Sequence, residues 1–172
     1  LTIENISYVK ASATINSVIS THQDLTVYAQ TNYNNYSTKI VDTLCNSEYE
    51  YKLRVRTGSA DVTNLVIYTS IEEAQPERTR WKGEFLGIDT SYAESKGYAI
   101  KVWYSENTTV GTLIEDTSWK EYSDDIDKTK VKSLAFQYLS STAIVDTENT
   151  SAAILPANTL TYVLIKMKSP ND

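Results

Sequence analysis

The run from Glu48 to Arg56 constrains the fold more than any other part of the chain. Tyr49, Tyr51, Leu53 and Val55 fall on one face of an extended backbone, and Glu48, Glu50, Lys52, Arg54 and Arg56 fall on the other. Side chains alternate across a strand with a period of two, so this pattern specifies a half-buried antiparallel strand. A helix would scatter the same apolar residues around its circumference. A strand of this kind needs a second layer to cover its apolar face.

The rest of the chain repeats the theme. Val62 to Ser70 is apolar on both faces and predicts a central strand. With Thr57-Gly58-Ser59-Ala60-Asp61 as the turn, it is expected to form a hairpin with Glu48–Arg56. Lys82 to Asp89 predicts a strand interrupted by Gly87. Ser91 to Lys96 predicts one helical turn stopped by Gly97. Tyr98 to Tyr104, Thr117 to Tyr122, Val131 to Leu139 and Leu160 to Lys168 predict further strands. Leu155-Pro156-Ala157-Asn158 predicts a turn, and Ser140 to Ala153 a long loop or hairpin. The first 45 residues are patterned more weakly. Strands are expected within Thr2–Ile15 and at Leu25–Thr31, and a polar loop over Thr31–Ser37. The 22 Thr and 13 Tyr agree, because branched and aromatic side chains pack well on a pleated surface. No amphipathic helix of ten residues is present. Short strands separated by turn signals indicate an all-β antiparallel β-sandwich with long loops and little helix, as a single domain over residues 1–172.

Charge and rare residues narrow the function. The chain carries 16 basic and 22 acidic residues, a net charge of −6, with a pI near 4.9. That argues against nucleic acid or an anionic membrane as the main partner. No apolar run reaches the length of a membrane-spanning helix, so no membrane insertion is expected. One Cys and one His leave no intrachain disulfide and few metal or His-based catalytic designs. The Cys-poor composition, rich in Thr, Ser and Asn, suits an exported bacterial surface protein. Leu1 without a preceding Met or signal peptide, and the polar end Ser169-Pro170-Asn171-Asp172, read as a segment of a longer protein. The sequons at Asn5, Asn35, Asn107 and Asn149 are those that chance provides in such a composition.

Two stretches carry a resemblance. Tyr49-Glu50-Tyr51-Lys52-Leu53-Arg54-Val55-Arg56-Thr57-Gly58 with Val62-Thr63-Asn64-Leu65-Val66-Ile67-Tyr68 is similar to a hairpin of repeat domains in Gram-positive cell-wall-anchored surface proteins. Val131-Lys132-Ser133-Leu134-Ala135-Phe136, then Ile154-Leu155-Pro156-Ala157-Asn158-Thr159-Leu160 and Val163 to Pro170, resembles the close of the same domains. The chain departs from them at Tyr68 and Thr69, where an Asp is usual, and at Ala157, where a Gly is usual. Over residues 46–170 the resemblance implies an immunoglobulin-like, Greek-key sandwich. It also implies a non-catalytic structural or adhesive role, at the cell wall or cell surface of a Gram-positive organism. Some relatives form an intramolecular Lys–Asn isopeptide bond, which needs a desolvated Lys, an acid and an apolar shell. The positions available here are Lys10 or Lys39, Asn158, and Asp61 or Glu84. None of them lies in an apolar strand context.

Other constellations point to weaker chemistry. Ser17, His22 and Asp24 offer the residue types of a triad but no nucleophile elbow, and Cys45 with His22 offers no more. Asp124, Asp125 and Asp127 could present oxygens to Ca²⁺, although Lys128 and Lys130 offset their charge and the loop is not an EF-hand. Trp81, Trp103 and Trp119 are candidate platforms for a sugar ring. Arg78 and Arg80 beside Trp81 form the one locally basic stretch. The expectation is therefore a non-catalytic module, a stalk or an adhesive unit, monomeric and without cofactor. Its partners are a host matrix protein or glycan and neighbouring domains of the same chain. The alternative is a carbohydrate-binding module using surface Trp and Tyr.

Overall fold

The computed structural model describes residues 13–16, 24–31, 34–38, 43–71, 82–141 and 151–171. The chain is all-β, with antiparallel sheets and almost no helix. The strands are β1 (Ala13–Asn16), β2 (Asp24–Thr31), β3 (Asn34–Ser37), β4 (Glu48–Arg56), β5 (Val62–Thr63), β6 (Val66–Ser70), β7 (Glu84–Asp89), β8 (Tyr98–Ser105), β9 (Lys120–Glu121), β10 (Ser133–Ser140), β11 (Ile154–Leu155) and β12 (Leu160–Lys168). A short helix, α1 (Ser91–Ser95), lies between β7 and β8, and a 3-10 turn spans Lys128–Lys130. Two five-stranded sheets run in the orders β1-β6-β10-β8-β9 and β3-β2-β4-β12-β7, and β5 pairs with β11.

Strand β4 follows its sequence pattern residue by residue. Tyr49, Tyr51, Leu53 and Val55 are buried, and the residues between them are half-buried or exposed. Its partner β12 buries Thr161, Val163, Ile165 and Met167 by the same period. In the other sheet β10 is buried on both faces, as a central strand must be. Leu53, Val55 and Val163 share one buried cluster with Ile67, Leu134, Phe136 and Tyr138 of the opposite sheet. The Tyr138 hydroxyl meets Thr161 Oγ1 across the two sheets at 3.4 Å.

Two expectations are corrected. The run Val62–Ser70 does not pair with β4. Strand β4 pairs with β2 and β12, whereas β6 pairs with β1 and β10. Asn64 takes a left-handed backbone, φ 55°, a conformation that Asn tolerates better than most residues. It breaks the run in two, so the chain crosses from one sheet to the other instead of folding back. The second correction is Thr31–Ser37, read as a loop. Residues Asn34–Ser37 form β3 on the edge beside β2. The Tyr36 ring covers Lys52 there, a contact that local propensity cannot signal.

The strand registers also fix which way the chain runs. Strand β1 begins at Ala13 opposite Thr69, which lies beside Leu134 near the start of β10. Strand β12 ends at Lys168, beside Glu48 at the start of β4. The Tyr138–Thr161 contact joins the opposite ends of β10 and β12. Ala13 and Lys168 therefore lie toward the same end of the two sheets. That end is latched: Ser169 Oγ donates to the Leu44 carbonyl at 2.5 Å and accepts from the Ser47 N–H at 2.9 Å. Asn46 N–H reaches the Pro170 carbonyl at 2.8 Å.

One buried group is out of balance with its surroundings. The Tyr51 hydroxyl is enclosed and has no hydrogen-bond partner among the described residues. A buried polar group without a partner costs about 1–3 kcal/mol. Tyr51→Phe removes the orphan and keeps the ring, so it is expected to leave stability unchanged or raise it by about 1 kcal/mol. Urea unfolding checks this, and a clear loss of stability would refute it.

Candidate functional site

The outer face of the β3-β2-β4-β12-β7 sheet gathers aromatic and charged side chains. The registers set them in rows. Thr26, Arg54 and Tyr162 lie opposite one another on β2, β4 and β12, and Tyr28, Lys52 and Leu164 form the next row. Every one of these points away from the core, because its neighbours Leu53 and Val163 point inward. Tyr36 adds a ring from β3. Strand β7 ends at Asp89 beside Leu164, and α1 continues at that edge. Its Tyr92 stacks on Tyr162 with ring centres 3.9 Å apart and planes 11° from parallel. Gly97 stops the helix with φ 88°, as its position in the sequence indicates.

The cations are held by rings. Lys52 Nζ lies 3.5 Å from the centre of the Tyr36 ring and 4.7 Å from that of Tyr162. The Arg54 guanidinium lies 4.8 Å from the Tyr28 ring centre. The Lys96 ammonium sits over Tyr92 at 5.2 Å. Such contacts follow from the negative face of the ring. Among the described residues neither Lys52 nor Arg54 forms an ion pair. Arg54 Nη2 donates to the Thr26 hydroxyl at a long 3.4 Å, and Arg54 Nε has no acceptor. Glu50 is engaged from the side, accepting from the Tyr36 hydroxyl. Lys166 pairs with Asp89 at 3.8 Å.

The protonation equilibria follow. Burial beneath the rings pulls the Lys52 ammonium below its ordinary value, against the opposing pull of Glu50. Burial, then the bond to Glu50, pushes the Tyr36 phenol up. Hydrogen bonds from Ser91 hold Asp89 below the usual carboxylate range, with Lys166 adding to the effect.

The positions singled out from sequence are distributed elsewhere. Trp103 is half-buried on β8; its Nε1 donates to Gln137 Oε1 at 3.2 Å, and Lys101 covers the ring at 4.6 Å. Trp119 is buried and pins the loop that follows β8. Its Nε1 donates to the Gly111 carbonyl at 3.0 Å, and its ring packs 5.8 Å from Tyr68. The same Tyr68 hydroxyl accepts from Leu113 N–H at 3.0 Å. Trp81, Arg78 and Arg80 lie outside the described residues, as do Lys10, Lys39, Ser17 and His22. Cys45 is exposed.

The acidic turn after β9 is used locally. Asp127 Oδ1 accepts from the Thr129 N–H at 3.1 Å and hydroxyl at 2.6 Å, and Lys130 lies 3.6 Å from its other oxygen. Asp124 accepts from the Tyr122 hydroxyl at 3.2 Å. Asp125 is exposed. Among the described residues no group of three His, Cys, Asp or Glu side chains is gathered to hold a metal ion. Asn158 is an exposed turn residue with φ 60°, and Asp61 accepts from the Ala157 N–H in that turn at 2.9 Å. Glu84 is exposed at the start of β7. No apolar shell surrounds these three.

Sequence reading missed the tyrosine face because its members come from four strands and a helix. The outward row of β4 and the outward position of Tyr162 were legible. Which strands flank β4, and in what register, was not. No protein-family model, curated protein or solved structure matches the chain. Among the described residues no helix is long and apolar enough to cross a membrane.

Proposed function

We propose that the chain is a non-catalytic adhesive module of a bacterial cell-surface protein. The observation that carries this reading is the outer sheet face, where Tyr28, Tyr36, Tyr92 and Tyr162 surround Lys52 and Arg54. These are side chains suited to recognition: rigid rings with polar tips, and cations that form no ion pair among the described residues. They come from four strands of one sheet face and the helix at its edge, a breadth that suits an extended ligand better than a reacting centre. The acidic, Cys-poor composition supports an exported setting.

Of the two structural roles, adhesion is favoured over spacing by that face, since a spacer has no need of gathered rings and cations on its surface. The carbohydrate-binding reading is also favoured by one specific observation, the gathering of Tyr28, Tyr36 and Tyr162 on one sheet face. Its platforms are then Tyr28, Tyr36 and Tyr162 rather than the tryptophans.

A glycan and matrix-protein array tests the proposal. The folded chain is expected to bind at least one surface, and Lys52→Ala with Arg54→Ala to weaken that binding. Binding to neither class would overturn the adhesive reading.

A further inference from the structure

We propose that the face formed by Lys52, Arg54 and their tyrosines binds a carboxylate-bearing polysaccharide, with the two cations holding the sugar carboxylate. This deepens the adhesive reading and rests on it. Lys52 and Arg54 stand two residues apart on β4, facing the same way, so their backbones are about 7 Å apart. Each is covered by a ring: Lys52 by Tyr36 and Tyr162, Arg54 by Tyr28. A guanidinium lying on a ring uses its flat face there and keeps its in-plane N–H donors for a planar acceptor. In Arg54 the terminal nitrogens are poorly used, Nη2 making one long bond to a hydroxyl, while Nε is enclosed and out of a ligand's reach. Lys52 likewise has no ion-pair partner among the described residues.

Charge complementarity selects the ligand. The chain as a whole is acidic, at −6. On the outer sheet face Arg56, Lys166 and Lys168 are offset by Glu48, Glu50, Glu84 and Asp89, whereas Lys52 and Arg54 stand together with no ion-pair partner among the described residues. Two such neighbouring cations on an acidic molecule attract a carboxylate, while the rest of the surface repels a uniformly charged polyanion. A carboxylated sugar meets both conditions. Its carboxylate fits the Arg fork in a bidentate manner, and its charges are spaced by uncharged ring surface. That ring surface meets Tyr28, Tyr36 and Tyr162, all half-exposed, which present apolar faces with hydroxyl tips. Lys52, less basic than usual through burial, gains most from a carboxylate that restores a partner to its charge.

Titration calorimetry on the folded chain tests this, with polygalacturonate as the carboxylated probe, heparin as the sulfated one and dextran as the neutral one. Polygalacturonate is expected to bind and to weaken as salt rises. Arg54→Gln and Lys52→Gln are each expected to lower its affinity about tenfold or more. Lys166→Gln, on the same face but paired with Asp89, is expected to change it by less than about threefold. All three are surface substitutions whose melting curves report folding separately. Equal binding of dextran, binding of heparin alone, or Arg54→Gln and Lys52→Gln variants that bind polygalacturonate normally would overturn the proposal. A chain that ignores all three polymers but binds a matrix protein would overturn this inference and keep the adhesive reading. A chain that binds nothing would overturn both.

Discussion

Phe136→Ala is expected to cost about 3–5 kcal/mol of stability. Phe136 is fully buried on β10, the central strand of its sheet, between Ile67 of β6 and Val102 of β8. Both neighbours are buried in the same cluster, together with Leu53 and Val163 of the facing sheet. Removing the ring forfeits its transfer free energy and leaves a cavity that two hydrogen-bonded flanking strands cannot close. A domain of this kind has about 5–15 kcal/mol in total, so the loss is a large share of it. The melting temperature should fall by roughly 6–20 °C, at about 2–4 °C per kcal/mol for a chain of this size. Phe136→Leu keeps most of the volume and should cost less than about 1.5 kcal/mol. Thermal and urea unfolding of the two variants check the pair. A Phe136→Ala variant as stable as the parent would mean that the two sheets do not share this core.

Strands with one wet face were legible to the residue: Glu48–Arg56 and Leu160–Lys168 stand where alternation places them. Alternation is a local consequence of one-sided burial, so a single strand carries it. The helical turn before Gly97 was legible because its signal is also local. Pairing was not. Val62–Ser70 follows Glu48–Arg56 after a turn-rich link, which is the pattern of a hairpin, yet the two lie in different sheets. Only Asn64 with its left-handed backbone marks the break. The candidate site suffered for the same reason. Trp119 stood out by residue type, but it pins a loop through Gly111. Tyr28, Tyr36, Tyr92 and Tyr162 were unremarked among 13 tyrosines, because their common face is created by registers and by the placement of α1.

Six tyrosines set the behaviour of the fold in alkali, where a cooperative loss of structure is expected between about pH 10 and pH 12. The ordinary phenol value is 10.0, and Tyr36, Tyr68, Tyr98, Tyr122, Tyr138 and Tyr162 are all held above it, chiefly by burial. For Tyr122 burial comes first and the Asp124 carboxylate second, and together they push it up to about 12. Burial disfavours the phenolate, so the folded chain keeps protons that the unfolded chain gives up. Wherever the unfolded state binds fewer protons, stability falls with rising pH. These groups therefore leave stability untouched below about pH 10, the unfolded value, and withdraw it progressively up to the raised folded values. Tyr138 is expected to contribute most. It is fully buried, and among the described residues its hydroxyl meets only Thr161, at 3.4 Å, so an ionised oxygen there would have little to stabilise it. Absorbance at 295 nm should show these tyrosines ionising late and together with the loss of β-sheet circular dichroism. Tyr138→Phe should remove its share and move the alkaline midpoint to higher pH. Ionisation of every tyrosine near pH 10 with the circular dichroism unchanged would show that these rings are not held by the fold.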